Sequence, residues 1–243
     1  MNNFDWFIPE NVGIAMTNRH GGLSNFPFDS LNLGCHVGDD NEKVLANRSL
    51  LKQQFNLPSD PIWLSQVHGT DVVDLSAITL SSLKPIEADG SYTNQAGQVC
   101  AVMTADCLPV LLCDKQGTQV SAVHAGWRGL CNGIIEQGVN KFSTHANQLI
   151  AYLGAAIGAE AFEVGSEVKA AFTSKNAEAK KAFKLQKNGK YLADIYLLAI
   201  QRLHKLGVTE IYQSTHCTYS NSDYFSYRRD GKTGRQASLI WIK

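Results

Sequence analysis

The middle of the chain constrains the fold most. Residues 99–104, 110–113 and 119–123 are short runs, apolar at nearly every position, bounded by Asp-Cys, Asp-Lys-Gln-Gly and His-Ala-Gly. A strand with one face in water alternates apolar and polar residues, whereas a strand covered on both faces does not need to. These runs therefore call for a central sheet with layers on both sides. Its partners are readable nearby. Residues 12–17, 62–67, 71–75, 150–153, 210–213 and 238–242 read as strands. Residues 41–55, 129–142, 163–173 and 194–206 read as helices, the first capped by Asp39-Asp40-Asn41 and the last stopped by Gly207. Residues 20–38, rich in Gly, Asn, Ser and Pro, read as a long loop. Strands and helices mix without strict alternation, so the expected class is α+β, one domain over residues 1–243 with mixed β-sheets covered by helices, rather than a barrel or a dinucleotide-binding unit.

Composition narrows the function. The 243 residues suffice for a core without disulfides or metals. Lys+Arg and Asp+Glu are 22 each, so the formal net charge is zero. A nucleic-acid binder draws affinity from a basic excess, which is missing, so no nucleic acid is expected and any basic site is local. No apolar run reaches membrane-spanning length, and the start Met-Asn-Asn-Phe-Asp-Trp lacks the features of an export signal. The expectation is a cytoplasmic protein without a membrane partner, whose six cysteines stay reduced. Cys35, Cys100, Cys113 and Cys131 read as small buried hydrophobes.

Three segments share one design: an apolar strand ends and a reactive residue follows beside glycine or another small residue. They are WLSQVHG (63–69), VMTADCLP (102–109) and SAVHAGWRG (121–129), with His68, Cys107 and His124 as the reactive residues. Adjacent strands in one sheet bring such ends to one rim. Two imidazoles and a thiolate make a zinc set with a fourth position open, the arrangement of a catalytic site rather than a closed structural one. The same residues also suit a nucleophilic cysteine, with Cys107 attacking, His124 as base and Asp106 or another acid orienting it. Arginines form a second theme. Arg48 and Arg228 are the candidates for holding an anion, because guanidinium binds phosphate or carboxylate through paired donors. The glycine-rich GWRGLCNG (126–133) lacks the Lys-Ser/Thr ending of a Walker A loop.

Longer stretches carry a resemblance: DSLNLG (29–34), NR (47–48), WLSQVHGTDV (63–72), ADGSYTN (88–94), CAVMTADCLPVLLCD (100–114), AVHAGWRGL (122–130), YLGAAIG (152–158), FEVG (162–165) and YFSYRRDGKTGR (224–235). In order and in kind they resemble the YfiH family, also called the laccase-domain, multicopper polyphenol oxidase or purine nucleoside phosphorylase family. The resemblance implies an α+β fold and a zinc site at His68, Cys107 and His124. It implies phosphorolysis of adenosine, inosine, guanosine and methylthioadenosine, and deamination of adenosine, with purine nucleosides and phosphate as partners.

The family's names conflict, and the residues discriminate between them. A laccase couples a blue copper to a cluster rich in imidazole pairs, but this chain has seven His and no His-x-His. One copper at the triad, with Met103 as axial ligand, is the most it offers. For deamination a zinc site has a physical basis, although the H-x-E and P-C-x-x-C signature of nucleobase deaminases is absent. Asp106 is the candidate general acid, with the alternative role of holding a ligand or turn. For phosphorolysis Arg48 and Arg228 are assigned to phosphate. The competing readings are a copper polyphenol oxidase, a Cys107 hydrolase acting on cell-wall precursors, and a metal-binding scaffold.

Overall fold

In the computed structural model, which describes residues 5–77 and 86–243, the chain alternates sheet and helix irregularly. The first part holds β1 (Val12–Met16), α1 (Asn41–Gln54), β2 (Leu64–Ser65), β3 (Val72–Asp74), β4 (Ile86–Glu87) and β5 (Gly90–Thr93). The central part holds β6 (Val99–Thr104), β7 (Leu108–Asp114), β8 (Val120–Ala125), α2 (Trp127–Asn132), α3 (Ile134–Val139) and β9 (Leu149–Leu153). The remainder holds β10 (Glu163–Val164), α4 (Ser166–Lys175), β11 (Phe183–Leu185), β12 (Tyr191–Ala193), α5 (Ile195–Leu206), β13 (Glu210–Gln213), α6 (Tyr227–Asp230) and β14 (Gln236–Ile242).

Two sheets do most of the work. A mixed six-stranded sheet has the order β13-β9-β7-β8-β5-β3, and an antiparallel three-stranded sheet β1-β14-β6 packs on it. Alternate residues of each strand enter different apolar layers. From β6, Cys100 and Val102 point between the sheets, while Val99, Ala101 and Met103 join Leu51 of α1, Leu33 and Trp241 on the outer side. From β7, Leu111 and Cys113 point between the sheets, while Val110 and Leu112 meet Ile134, Ile135, Leu198 and Leu203 of the helical layer. The order is thus helix, sheet, sheet, helix. Both faces of the central strands are covered, which is why they read as unbroken apolar runs. The class is α+β with mixed sheets.

Local chemistry sets the helix ends. Asp40 caps α1 by accepting the Glu42 N–H at 2.9 Å, and Asp194 caps α5 by accepting the Leu197 N–H at 2.9 Å. Gly207, at φ +94°, closes α5 in the left-handed region.

Three sequence expectations need correction. The single helix over 129–142 is two short helices, because Gly133 at φ +109° breaks it. The strand over 62–67 shrinks to Leu64–Ser65, because the amides of residues 67–69 bond a side chain instead of a neighbouring strand. The helix over 163–173 starts only at Ser166, since Glu163–Val164 pair with β12. Among the described residues no helix is long and apolar enough to cross a membrane.

Candidate metal centre and its cavity

Strand pairing explains why distant residues meet. β7 and β8 are antiparallel with Leu108 opposite Ala125 and Pro109 opposite His124, so the start of β7 lies at the end of β8. Cys107 immediately precedes β7. β5 starts at the same rim, with Gly90 opposite Val123. β3 runs parallel to β5 from Val72 and Gly90, which brings the turn containing His68 to the same edge. His68 itself adopts φ +61°, and Asp106, next to Cys107, adopts φ +94°. Both conformations are uncommon for side-chain-bearing residues, and the two lie together at this rim.

The donor atoms of His68, Cys107 and His124 all lie within 4.8 Å of one another. His68 Nε2 is 4.0 Å from Cys107 Sγ, and the two imidazoles meet edge to face at 4.9 Å between centroids. Gly126 leaves room for them: a Cβ there would come 2.9 Å from His68 Cδ2 and 3.1 Å from Cys107 Sγ.

The residue that organises this rim is Asp89, to which the sequence reading assigned no role although ADGSYTN contains it. Its side chain is fully buried. One oxygen accepts the amides of Val67 at 3.1 Å and Gly69 at 2.6 Å. The other accepts the His68 amide at 3.0 Å and is 2.8 Å from His124 Nδ1. A hydrogen bond from Nδ1 leaves His124 Nε2 as the donor toward the triad. Burial pushes the Asp89 carboxyl up, but the His124 and backbone hydrogen bonds outweigh it and hold it below its ordinary value.

The same neighbours act on Cys107. Burial raises its thiol, yet the charge and hydrogen bonds of His124 and then His68 bring it down to about 6. Burial lowers His124, yet Cys107 and Asp89 lift it to about 9. At neutral pH the metal-free pair is a thiolate beside an imidazolium, and a thiolate is the form that binds metal or attacks.

A cavity of about 240 Å³ opens on His68 and Cys107 of the triad. Trp127, Ile157, Phe162 and Ile195 give it apolar walls, and Asp106, Arg128, Tyr227 and Arg228 add polar groups. The predicted site residues divide here. Asp106 lines the cavity, but its carboxylate accepts Thr218 Oγ1 and the Arg228 amide, each at 2.6 Å. Arg228 lines it too, lies over the Phe162 ring, and donates from Nη1 to the Glu163 carbonyl at 3.0 Å. Arg48 does not line this cavity. Its Nε and Nη2 donate to the Leu33 carbonyl at 3.0 and 2.8 Å, and Trp63 covers its guanidinium.

Other cysteines follow the sequence reading in part. Cys100, Cys113 and Cys131 are buried, but Cys35 is exposed, because it sits in a short surface turn rather than a strand. Met103, the axial copper ligand expected from the sequence, is buried among Leu33, Leu51 and Trp241 in the outer apolar layer. The donor set itself fits a single ion held by two imidazoles and one thiolate.

Comparison with known proteins gives consistent matches. The profile of a family described as multi-copper polyphenol oxidoreductase laccase matches residues 13–243. A protein named "Purine nucleoside phosphorylase YfiH" from Escherichia coli (strain K12) is 52% identical over 238 residues, covering 98% of this chain and 96% of that protein. A purine nucleoside phosphorylase of Haemophilus influenzae is 47% identical, covering 99% and 98%. The crystal structure of Neisseria meningitidis protein NMB0706 superposes with a TM-score of 0.93 at 48% identity, covering 98% of this chain and 97% of that one.

Proposed function

The chain belongs to the family described as multi-copper polyphenol oxidoreductase laccase, and from that premise we propose that it is a zinc-dependent purine nucleoside enzyme. Its reactions on this reading are phosphorolysis of adenosine, inosine, guanosine and methylthioadenosine, and deamination of adenosine. The observation that supports it best is an apolar-walled cavity lined by His68 and Cys107 of a His–Cys–His donor set. The relatives named purine nucleoside phosphorylase support the substrate class.

His68, Cys107 and His124 hold the zinc, which supplies Lewis acidity when bound. Trp127, Ile157, Phe162 and Ile195 receive the flat purine and exclude water around it. Phosphorolysis forms a C1′–O bond to phosphate and breaks the glycosidic C1′–N bond, whose electron pair leaves with the purine. That transition state is oxocarbenium-like, so positioning and fixed charge dominate. Arg228 supplies positive charge at the cavity wall. Asp106, with both oxygens bonded, acts by holding the Arg228 backbone in place. Arg48 acts at one remove, by fixing the Leu33 carbonyl and the loop that follows it. In deamination, water replaces the C6 amino group and ammonia leaves. The free thiols fit a reducing, cytoplasmic setting.

A second reading rests on the lowered Cys107 thiol. Cys107, His124 and Asp89 have the make-up of a nucleophilic cysteine, its base and the base's orienting carboxylate, with Asp89 rather than Asp106 as the orienting acid. Incubating metal-quantified protein with adenosine in phosphate buffer, with and without a chelator, separates the two. Phosphate-dependent adenine, or inosine, lost with chelation and in Cys107→Ala supports the nucleoside reading. Neither product at full zinc occupancy overturns it for adenosine, and hydrolase activity indifferent to chelator favours the thiol.

A further inference from the structure

Next to the metal cavity lies a second one, of about 340 Å³, and Tyr227 lines both. His36, Lys232, Thr233 and Arg235 also line it, and no Asp or Glu does. We infer that this basic cavity is a phosphate-oxyanion site that serves the metal cavity across Tyr227.

The site is built rather than incidental. Arg235 is held from three sides. Its backbone N–H donates to Asn32 Oδ1 at 2.9 Å, and its carbonyl accepts the Leu33 N–H at 3.1 Å. Its Nη1 donates to the carbonyls of Thr233 and Gly234 at 3.1 and 2.9 Å. No described residue is recorded accepting from Nε or Nη2. The same Asn32 is fully buried and also bonds both backbone groups of Gly34, so the turn carrying His36 is fixed against Arg235. Gly34 lets them close up, since a Cβ there would fall 2.9 Å from Arg235 Cγ and 3.4 Å from His36 Cε1.

Thr233 is the independent pointer to a ligand. It lines the cavity, is 2% exposed, and its Oγ1 has no hydrogen-bond partner among the described residues. A buried hydroxyl without a partner is costly; Thr233 Oγ1 is itself sealed from solvent, so rotation of this side chain toward an anion in the cavity is what removes the cost. Electrostatics agree. Burial first, and then the charges of Arg235, Arg48 and His124, lower the His36 imidazole, so positive charge crowds here, and no carboxylate lines the cavity itself. Burial lowers the Arg235 guanidinium while Cys107 and Asp106 act against it, which ties this cavity to the metal rim.

The anion's chemistry has two sources: free orthophosphate, or the phosphoryl group of a larger ligand. Assigning orthophosphate as co-substrate rests on the phosphorolysis reading, whereas the site itself does not. The test uses the full-length, zinc-loaded protein. Orthophosphate and adenosine 5′-monophosphate are titrated separately and followed by calorimetry and phosphorus NMR, in the parent and in Arg235→Gln, Thr233→Val and Lys232→Ala. Loss of a charge-assisted contact weakens the preferred ligand about tenfold or more in Arg235→Gln and about threefold in the other two. Tighter orthophosphate assigns free phosphate, and a tighter monophosphate assigns a ligand's own phosphoryl group. Absence of saturable binding of either, or affinity unchanged in all three variants, overturns the site. Lys232 is exposed, so Lys232→Ala keeps the test valid if Arg235→Gln fails to fold. Protein that binds orthophosphate in this manner but releases no purine keeps the site and removes phosphorolysis. Phosphorolysis with a phosphate KM unmoved by all three variants does the reverse.

Discussion

Cys107 at the sheet rim and Cys100 and Cys113 inside the sandwich are the same chemical group in one small region of chain, yet they differ widely in acidity. Burial raises all three. Between the sheets nothing sufficient opposes it, and Cys100 and Cys113 are pushed up to about 12. At the rim His124 and His68 reverse it, and Cys107 falls to about 6. Reactivity therefore follows from what the strand ends place beside a thiol, not from depth alone. Asp89 underlies the difference, since it fixes both the His124 ring and the turn that carries His68.

The comparison breaks most completely at Asp89. Asp89→Ala leaves three amides and the His124 ring without their acceptor, and is expected to cost about 3–5 kcal/mol of stability. Thermal unfolding checks this, and a shift of only a degree or two contradicts it. Cys107→Ala removes the rim thiol without touching the core. Zinc content and turnover should fall at least about a hundredfold, with the melting temperature nearly retained. Near-stoichiometric zinc in that variant, measured by elemental analysis, refutes the ligand assignment.

Iodoacetamide sharpens the contrast without mutation. At pH 7 the metal-free protein should be alkylated at Cys107 and spared at Cys100 and Cys113, and zinc should protect Cys107. Peptide mass mapping reads the order. The pH dependence is subtler. The Asp89 carboxyl is held below its unfolded value, so its contribution is complete above that value and is lost as pH falls through the lower folded one. His124 in the metal-free protein is raised to about 9, so its contribution is complete below its unfolded value and is lost as pH rises through about 9. Asp89→Asn should flatten the acid limb of a stability–pH curve; an unchanged limb removes Asp89 from that account. Gly126→Ala is the mildest change, shifting His68 and Cys107 by tenths of an ångström and weakening zinc affinity a few-fold. Competition with a chromophoric chelator measures it.

Much of this was legible in the sequence, and for physical reasons. Val99–Thr104 and Leu108–Asp114 are apolar because each strand feeds two buried layers, so composition alone revealed them. His68, Cys107 and His124 stood out because each reactive residue follows an apolar stretch beside small residues. Asp89 did not, because its role depends on register: β5 must meet β8 with Gly90 opposite Val123 before that carboxylate reaches His124. Residues 62–67 read as a strand since nothing local reveals that the following amides bond a carboxylate about twenty residues away. The break at Gly133 was hidden because apolar residues continue at helical spacing across it. Arg235 does not stand out in the sequence, because its pairing with Asn32 joins opposite ends of the chain.

Asp89 also bears on how such a chain can age. On the proposed function Cys107 serves the chemistry at the rim, so a lineage that no longer needs the reaction can lose it by drift and remain folded. Asp89 is different: the His68 turn and the His124 ring both hang on it whether or not the site is used. Retired descendants of this protein should therefore keep the aspartate long after the cysteine is gone, leaving a molecular fossil that marks where the activity once was.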